Sequence, residues 1–421
     1  MEVLHIIFQS FFLIVLNIYP NSVRKKFSNS FFISLAKSCV LLSTVLLFYS
    51  FLNIDLKYLV SFLYVIFSIN LIFFIIDCKT NSSIFYKTIF FTLILFIFSI
   101  NLASDLKIGW DAQNIWFPKA LNFIDGEKID NLKNLPRPDY PFFGPYMWAI
   151  FSDVSFLKHE YFGRIFYIYV FCLSIFAIIE KINLKNELKF LLSLIILVML
   201  SSKNLFNGYQ EVLIFAYAIF LSIIAIDLIE KKKKFNYLSL LSCSFILFWI
   251  KNEAFILTLS FLFILTFYLN FNFKKKVFYI LSIIFLIYLK YTLFNLFDLN
   301  FNLQQGNYEL LKLNTITEKF SLDRALEIIF YLIVGFVKNP FGFVILISSV
   351  PFLIKLEKKK VVTFFILNFY LSLFILFAAY CLTSFPLTFH LKTSVDRLVF
   401  EVMGFGFVIF VYFANSLIKK N

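Results

Sequence analysis

The chain has 421 residues, of which 61% are hydrophobic and only 15% charged, with a mean hydropathy of +0.86, which excludes an ordinary soluble domain and marks a polytopic membrane protein. The formal net charge is +14, yet Lys and Arg fall in short clusters between apolar runs, which argues against a nucleic-acid partner and for a topology signal. Cys39, Cys78, Cys172, Cys243 and Cys381 are isolated and odd in number, so neither a disulfide framework nor a zinc site is indicated.

An apolar run of roughly 17 to 25 residues can cross the bilayer as a helix. About thirteen are expected, near 3–19, 31–52, 58–76, 85–104, 161–179, 188–203, 211–229, 235–250, 254–271, 277–297, 326–354, 361–382 and 398–417. The first has no basic residues before it and no small-residue cleavage site, so it reads as a retained helix and not a signal peptide. If Arg24, Lys25 and Lys26 face the cytoplasm, alternation puts Lys79 and Lys87, Lys181 to Lys189, Lys231 to Lys234, Lys274 to Lys276, Lys355 to Lys360, and Lys419 with Lys420 there too. The amino terminus and the stretches at 105–160, 203–211, 251–253, 298–325 and 383–397 then lie outside. The run at 326–354 is too long for one span and is broken at Asn339-Pro340, where a helix loses a backbone bond. We read it as an interfacial helix, with Ser321 as N-cap, followed by one crossing. The whole is an all-α polytopic membrane protein of one domain: residues 1–104 supply extra amino-terminal helices and the start of the core, 105–160 a large external loop after the fourth span, and 161–421 the remaining core.

Five polar features gather on the external side. Asp111, after Trp110, could take a proton from an attacking hydroxyl or could cap a helix that starts near Ala112. Asp139-Tyr140-Pro141 sits in a stiff aromatic loop that would suit a sugar or an interfacial belt. Glu211 opens a span, where a carboxylate is expensive unless it is used or caps the helix. Lys251-Asn252-Glu253 is either a self-satisfied ion pair or a cation held against phosphate. His390 to Arg397 offers a guanidinium fork, or is an ordinary hydrophilic loop. Neither a phosphate-binding glycine loop nor a dinucleotide fingerprint is present. With His5, His159 and His390 the only histidines, a multi-histidine metal site is not expected; no cofactor is required, and a carboxylate-bound divalent cation has no pattern behind it.

WDAQNIWFPKA, PDYPFFGP, GYQE, KNEA and TSVDR, in that order over residues 105–397, resemble the bacterial integral-membrane glycosyltransferases of the GT-C superfamily, in the group akin to protein mannosyltransferases and lipid A aminoarabinose transferases. The chain departs from that pattern in Gln210-Glu211 after the glycine-tyrosine pair, in KNEA where KNEG is common, and in three spans ahead of the one before the loop. The resemblance implies a GT-C-like bundle and inverting transfer of one sugar from a polyprenyl-phosphate donor to a glycan, lipid or protein acceptor, at the external face of the inner membrane. It implies Asp111 as general base, the PDYP segment with Asp139 and Tyr140 near the sugar, and Lys251, Glu253 and Arg397 by the donor phosphate; on the residues' own chemistry, Trp116 and Tyr140 are expected to shape the sugar pocket, His390 to assist Arg397, and Glu211 to be a further substrate-binding residue. A transporter or flippase of lipid-linked saccharides is the alternative; it would more often carry its charges at mid-membrane.

Overall fold

The computed structural model describes residues 1–20, 28, 30–201, 205–230, 236–299, 321–354, 360–383 and 386–418. Arg24 to Lys26, Lys231 to Lys234, Lys355, Lys358, Lys359, Lys419, Lys420 and most of 298–325 lie outside the described residues, and with them the side of the membrane expected for those clusters. Among the described residues every regular element is helical. The helices are α1 (Glu2–Leu16), α2 (Phe31–Ser50), α3 (Leu56–Thr80), α4 (Ser82–Ser104), α5 (Phe117–Ile124), α6 (Phe143–Val154), α7 (Tyr161–Ile179), α8 (Asn186–Leu200), α9 (Glu211–Ile229), α10 (Asn236–Phe248), α11 (Asn252–Tyr268), α12 (Phe273–Leu296), α13 (Leu322–Lys338), α14 (Pro340–Ile354), α15 (Lys360–Cys381) and α16 (Leu387–Ile418).

Each expected apolar run falls on a helix or, at 326–354, on the pair α13 and α14. Eight helices are long and apolar enough to cross a membrane, nine if that pair is one span; α1, α10 and α11 are apolar but shorter, and α8 has 15 residues. The whole apolar windows of α7 and α9 are buried, against 22% of that of α12. With α9 packed on α7, α10 and α16, α7 and α9 form the centre and α12 belongs to the rim. Uniformly apolar helices sit inside a bundle because backbone satisfaction within each helix leaves only side-chain packing to arrange.

The pair α13 and α14 bends by 114° at Asn339-Pro340. Asn339 Oδ1 accepts from the amides of Phe341 and Gly342, restarting the chain as a new helix. Along α13, Glu327 reaches Thr388 and Lys338 reaches Asp396, so α13 stays beside the first turns of α16. Phe341 then packs on Phe407, and Phe352 on Phe413, so α14 follows α16 away and the pair traverses the bundle once.

Two expectations are corrected. The stretch 105–160 is not an open loop: it holds a π-helical turn at Ala112–Trp116, α5, a 3-10 turn at Ile129–Asn134 and α6, and α6 is buried along nearly its whole length. Pro118 and Pro145 stand in the first turns of α5 and α6, where a missing N–H costs nothing; read as loop markers, they are helix starters. The stretch 383–397 is not a loop either, because α16 begins at Leu387. The last helix runs past any bilayer-length window, and its charged beginning hides it from hydropathy.

Candidate functional site

Three stretches are tied together at one end of α9 before any cavity is formed. The Gly109 amide donates to the Asn207 carbonyl (2.9 Å), and fully buried Arg164 donates to the carbonyls of Lys107 (3.2 Å) and Phe206 (3.0 Å) while pairing with Glu160 (2.5 Å). Gly208 turns the chain at φ +85°, in the left-handed region that favours glycine. Gly109 lies so close to the Tyr209 ring that a Cβ there would meet it at 2.3 Å. The WD turn and the GYQE turn are thereby locked side by side.

The cavity they frame has a volume of about 730 Å³, the size of pocket that takes a small organic ligand. Asp111, Trp116, Tyr140, Glu211, Lys251, Glu253, His390 and Arg397 all line it; residues 286 positions apart in the chain come into contact as Asp111 and Arg397 pair. Helix α16 supplies its share by spacing: His390, Ser394 and Arg397 all line the cavity and share one face of the helix, with Glu401 a turn further in.

The floor is a chain of alternating charge. Arg397 pairs with Asp111 and stands 3.6 Å from Glu211, its guanidinium 4.8 Å over the Tyr209 ring. Lys251 then meets Glu211 at 3.1 Å, Glu401 at 3.2 Å and Glu253 at 3.6 Å. Burial alone would lower the Lys251 ammonium, but Glu211, Glu253 and Glu401 overcome it and hold the group well above its usual range. Four carboxylates thus face two cations, and one oxygen each of Glu211, Glu253 and Glu401 is buried without a hydrogen bond.

Asp111 makes no capping bond to the turn it precedes, so there ion pairing takes the place of capping; Glu211 stands in the first turn of α9 and is ion-paired as well. Lys251 and Glu253 do pair with each other, though only as part of the larger cluster. Asp139 is the exception among the expected site residues. It does not line the cavity; both its oxygens accept from Arg137, at 3.1 Å each. Arg137, which does line the cavity, lies 4.4 Å over the Tyr140 ring, and Tyr140 meets Trp116 edge to face at 5.4 Å. Asp139 therefore works from behind, as the support of an aromatic wall.

No family model, curated protein or solved structure matches this chain.

That wall has a second support which sequence reading missed. Fully buried Lys119 donates to the carbonyls of Arg137 (2.8 Å) and Tyr140 (2.5 Å), and burial lowers its amine from 10.5 to about 7, with Asp139 pulling up and Arg137 down. It holds Arg137 in the left-handed region at φ +53°, a conformation that costs a non-glycine residue about 1 kcal/mol or more. Glu401 was also missed, although an ionisable residue inside an apolar span is itself a signal of use. Among the described residues no group of three or more His, Cys, Asp or Glu side chains is arranged to hold a metal ion.

Proposed function

We propose that this protein is an integral-membrane glycosyltransferase of GT-C type, with thirteen spans, that moves a single sugar from a polyprenyl-phosphate donor to an envelope acceptor, glycan, lipid or protein, at the external face of the inner membrane. The observation that carries the reading is the meeting of Asp111, Glu211, Lys251 and Arg397 in one cavity at the ends of the helices. A lipid-linked donor diffuses in the bilayer and reaches helix ends without leaving it. The cavity presents what inverting displacement needs: a carboxylate to take the acceptor proton, a guanidinium for the departing phosphate, and an aromatic wall of Trp116 and Tyr140 for the sugar. A polyprenyl phosphate leaves as a stabilised anion, so no strong acid is called for. The saccharide flippase alternative has less behind it, since the helix break at Asn339-Pro340 lies at the site end and not halfway through the bundle.

The test is mass spectrometry of envelope glycolipids and glycans from a deletion strain carrying wild type or Asp111→Asn at equal membrane abundance. Loss of one sugar, with accumulation of its polyprenyl-phosphate form, is expected for the variant, in line with the roughly 10²- to 10⁴-fold that a general base supplies. Full rescue by Asp111→Asn removes the base and turns the reading toward transport.

A further inference from the structure

The two cations of the cavity floor differ in how firmly they are held. Lys251 is surrounded by three carboxylates within 3.6 Å and its side chain is 12% exposed. An incoming phosphate would have to outcompete all three, so Lys251 is a fixed post. Arg397 is different. It has one close carboxylate, Asp111, and both side chains are 29% exposed on the cavity wall. Its more distant neighbour Glu211 is already taken by Lys251 at 3.1 Å. A guanidinium presents five donors in a planar fork that fits phosphate oxygens bidentately, so a phosphate can replace a single carboxylate there with a net gain of bonds.

The group that would be displaced is the one the reaction needs. While Asp111 holds Arg397, one oxygen of its carboxylate is engaged with a cation; once released, the carboxylate is free to accept a proton beside the seated donor.

We propose, building on the transferase reading, that the Asp111–Arg397 ion pair is a latch opened by the donor phosphate: the phosphate takes Arg397, and only then does Asp111 become the base. In the transfer step, the acceptor hydroxyl proton passes to Asp111 Oδ, the acceptor oxygen bonds to the anomeric carbon, and the bond from that carbon to the phosphate oxygen breaks with its electron pair left on the phosphate, against Arg397. The donor therefore binds before the acceptor. Lys251 keeps Glu211 in place throughout and does not touch the phosphate.

The latch makes an unusual demand on one variant. Asp111→Asn, which cannot take the proton, must bind the donor lipid more tightly than wild type, because the rival for Arg397 has lost its charge. The full-length protein in neutral-lipid nanodiscs is titrated with a polyprenyl phosphate, and with the matching polyprenol as the uncharged control, following the fluorescence of Trp110 and Trp116 in the cavity wall. The expected result is a Kd for polyprenyl phosphate about fivefold lower in Asp111→Asn, as for the loss of a competing ion pair of about 1 kcal/mol, and binding at the polyprenol level in Arg397→Gln. Asp111→Ser serves as the second variant should the amide perturb folding, with thermal unfolding as the check on both. Equal or weaker binding in variants that melt like wild type overturns the latch and leaves the transferase reading standing. Wild type that binds polyprenyl phosphate no better than polyprenol overturns the latch and the donor assignment together.

Discussion

Helix α9 carries a buried carboxylate at each end, and the two are treated in opposite ways. At the far end, Asp227 has one oxygen on Lys181 (2.6 Å) and the other on Lys37 (2.7 Å), and Lys37 also donates to Asn236 (2.7 Å). At the site end, Glu211 shares a single oxygen between Lys251 and Arg397, leaves the other without a partner, and has three further carboxylates for neighbours. Among the described residues, the first cluster sets two lysines on Asp227 with both its oxygens bonded; the other is short of positive charge and opens on a cavity. A satisfied buried network fastens helices, whereas a deficient one is held by the rest of the fold and is ready for a ligand. The far cluster joins α2, the segment after α7, α9 and α10, which is the frame on which the site rests.

The contrast is broken most severely by Asp227→Ala. It removes the carboxylate bonded to both Lys37 and Lys181, and the cost should be about 3 to 5 kcal/mol, read as a fall in membrane abundance and melting temperature; transfer per folded molecule should stay near wild type. Glu211→Gln should do the reverse, with melting close to wild type and transfer down by about tenfold or more, since both cations lose the carboxylate between them. If Glu211→Gln melts as early as Asp227→Ala, the distinction between the ends collapses.

Smaller effects sharpen it. Glu401→Gln replaces one of three carboxylates crowded on Lys251 with a neutral amide, and we expect a stability change within about 1 kcal/mol of wild type, against the large loss at Asp227; thermal unfolding of the two side by side decides. Lys119 gives a pH signature. Its amine titrates near 7 when folded and near 10.5 when not, so between these values the unfolded chain holds more protons and the stability contributed by Lys119 rises with pH. The gap in melting temperature between wild type and Lys119→Met should therefore widen from pH 7 to pH 10, and a flat gap would show that the amine is charged throughout. Gly109→Ala pushes on the Tyr209 ring beneath Arg397, with a modest loss of transfer expected and a fall in stability of about 1 to 3 kcal/mol.

How much of this was legible in the sequence depends on what each signal measures. Hydropathy found every long apolar helix, and the Asn339-Pro340 break was readable because proline acts locally. The five polar features were readable as points, since charges at the ends of apolar runs stand out. Hydropathy could not see α6 or the first turns of α16, because prolines and charges that mark loops in a membrane-length window also start helices. Nor could it pair Asp111 with Arg397, or set Asp139 behind Arg137, since such pairings belong to tertiary packing. Glu401 escaped notice through its setting: one carboxylate in an apolar run resembles noise until Lys251 is folded against it.

The single passage of α13 and α14 has a practical consequence. Glu2, at the start of α1, meets His159 on the cavity side, while near the end of α16 Asn415 meets Lys181 and Tyr412 meets Glu230, beside Asp227. The start of α1 and the last turns of α16 therefore lie at opposite ends of the bundle. On the thirteen-span reading proposed above, a folding-sensitive fluorescent tag attached beyond α16 and a protease-accessible tag attached ahead of α1 are expected to report opposite sides of the membrane; the same side for both would overturn that span count.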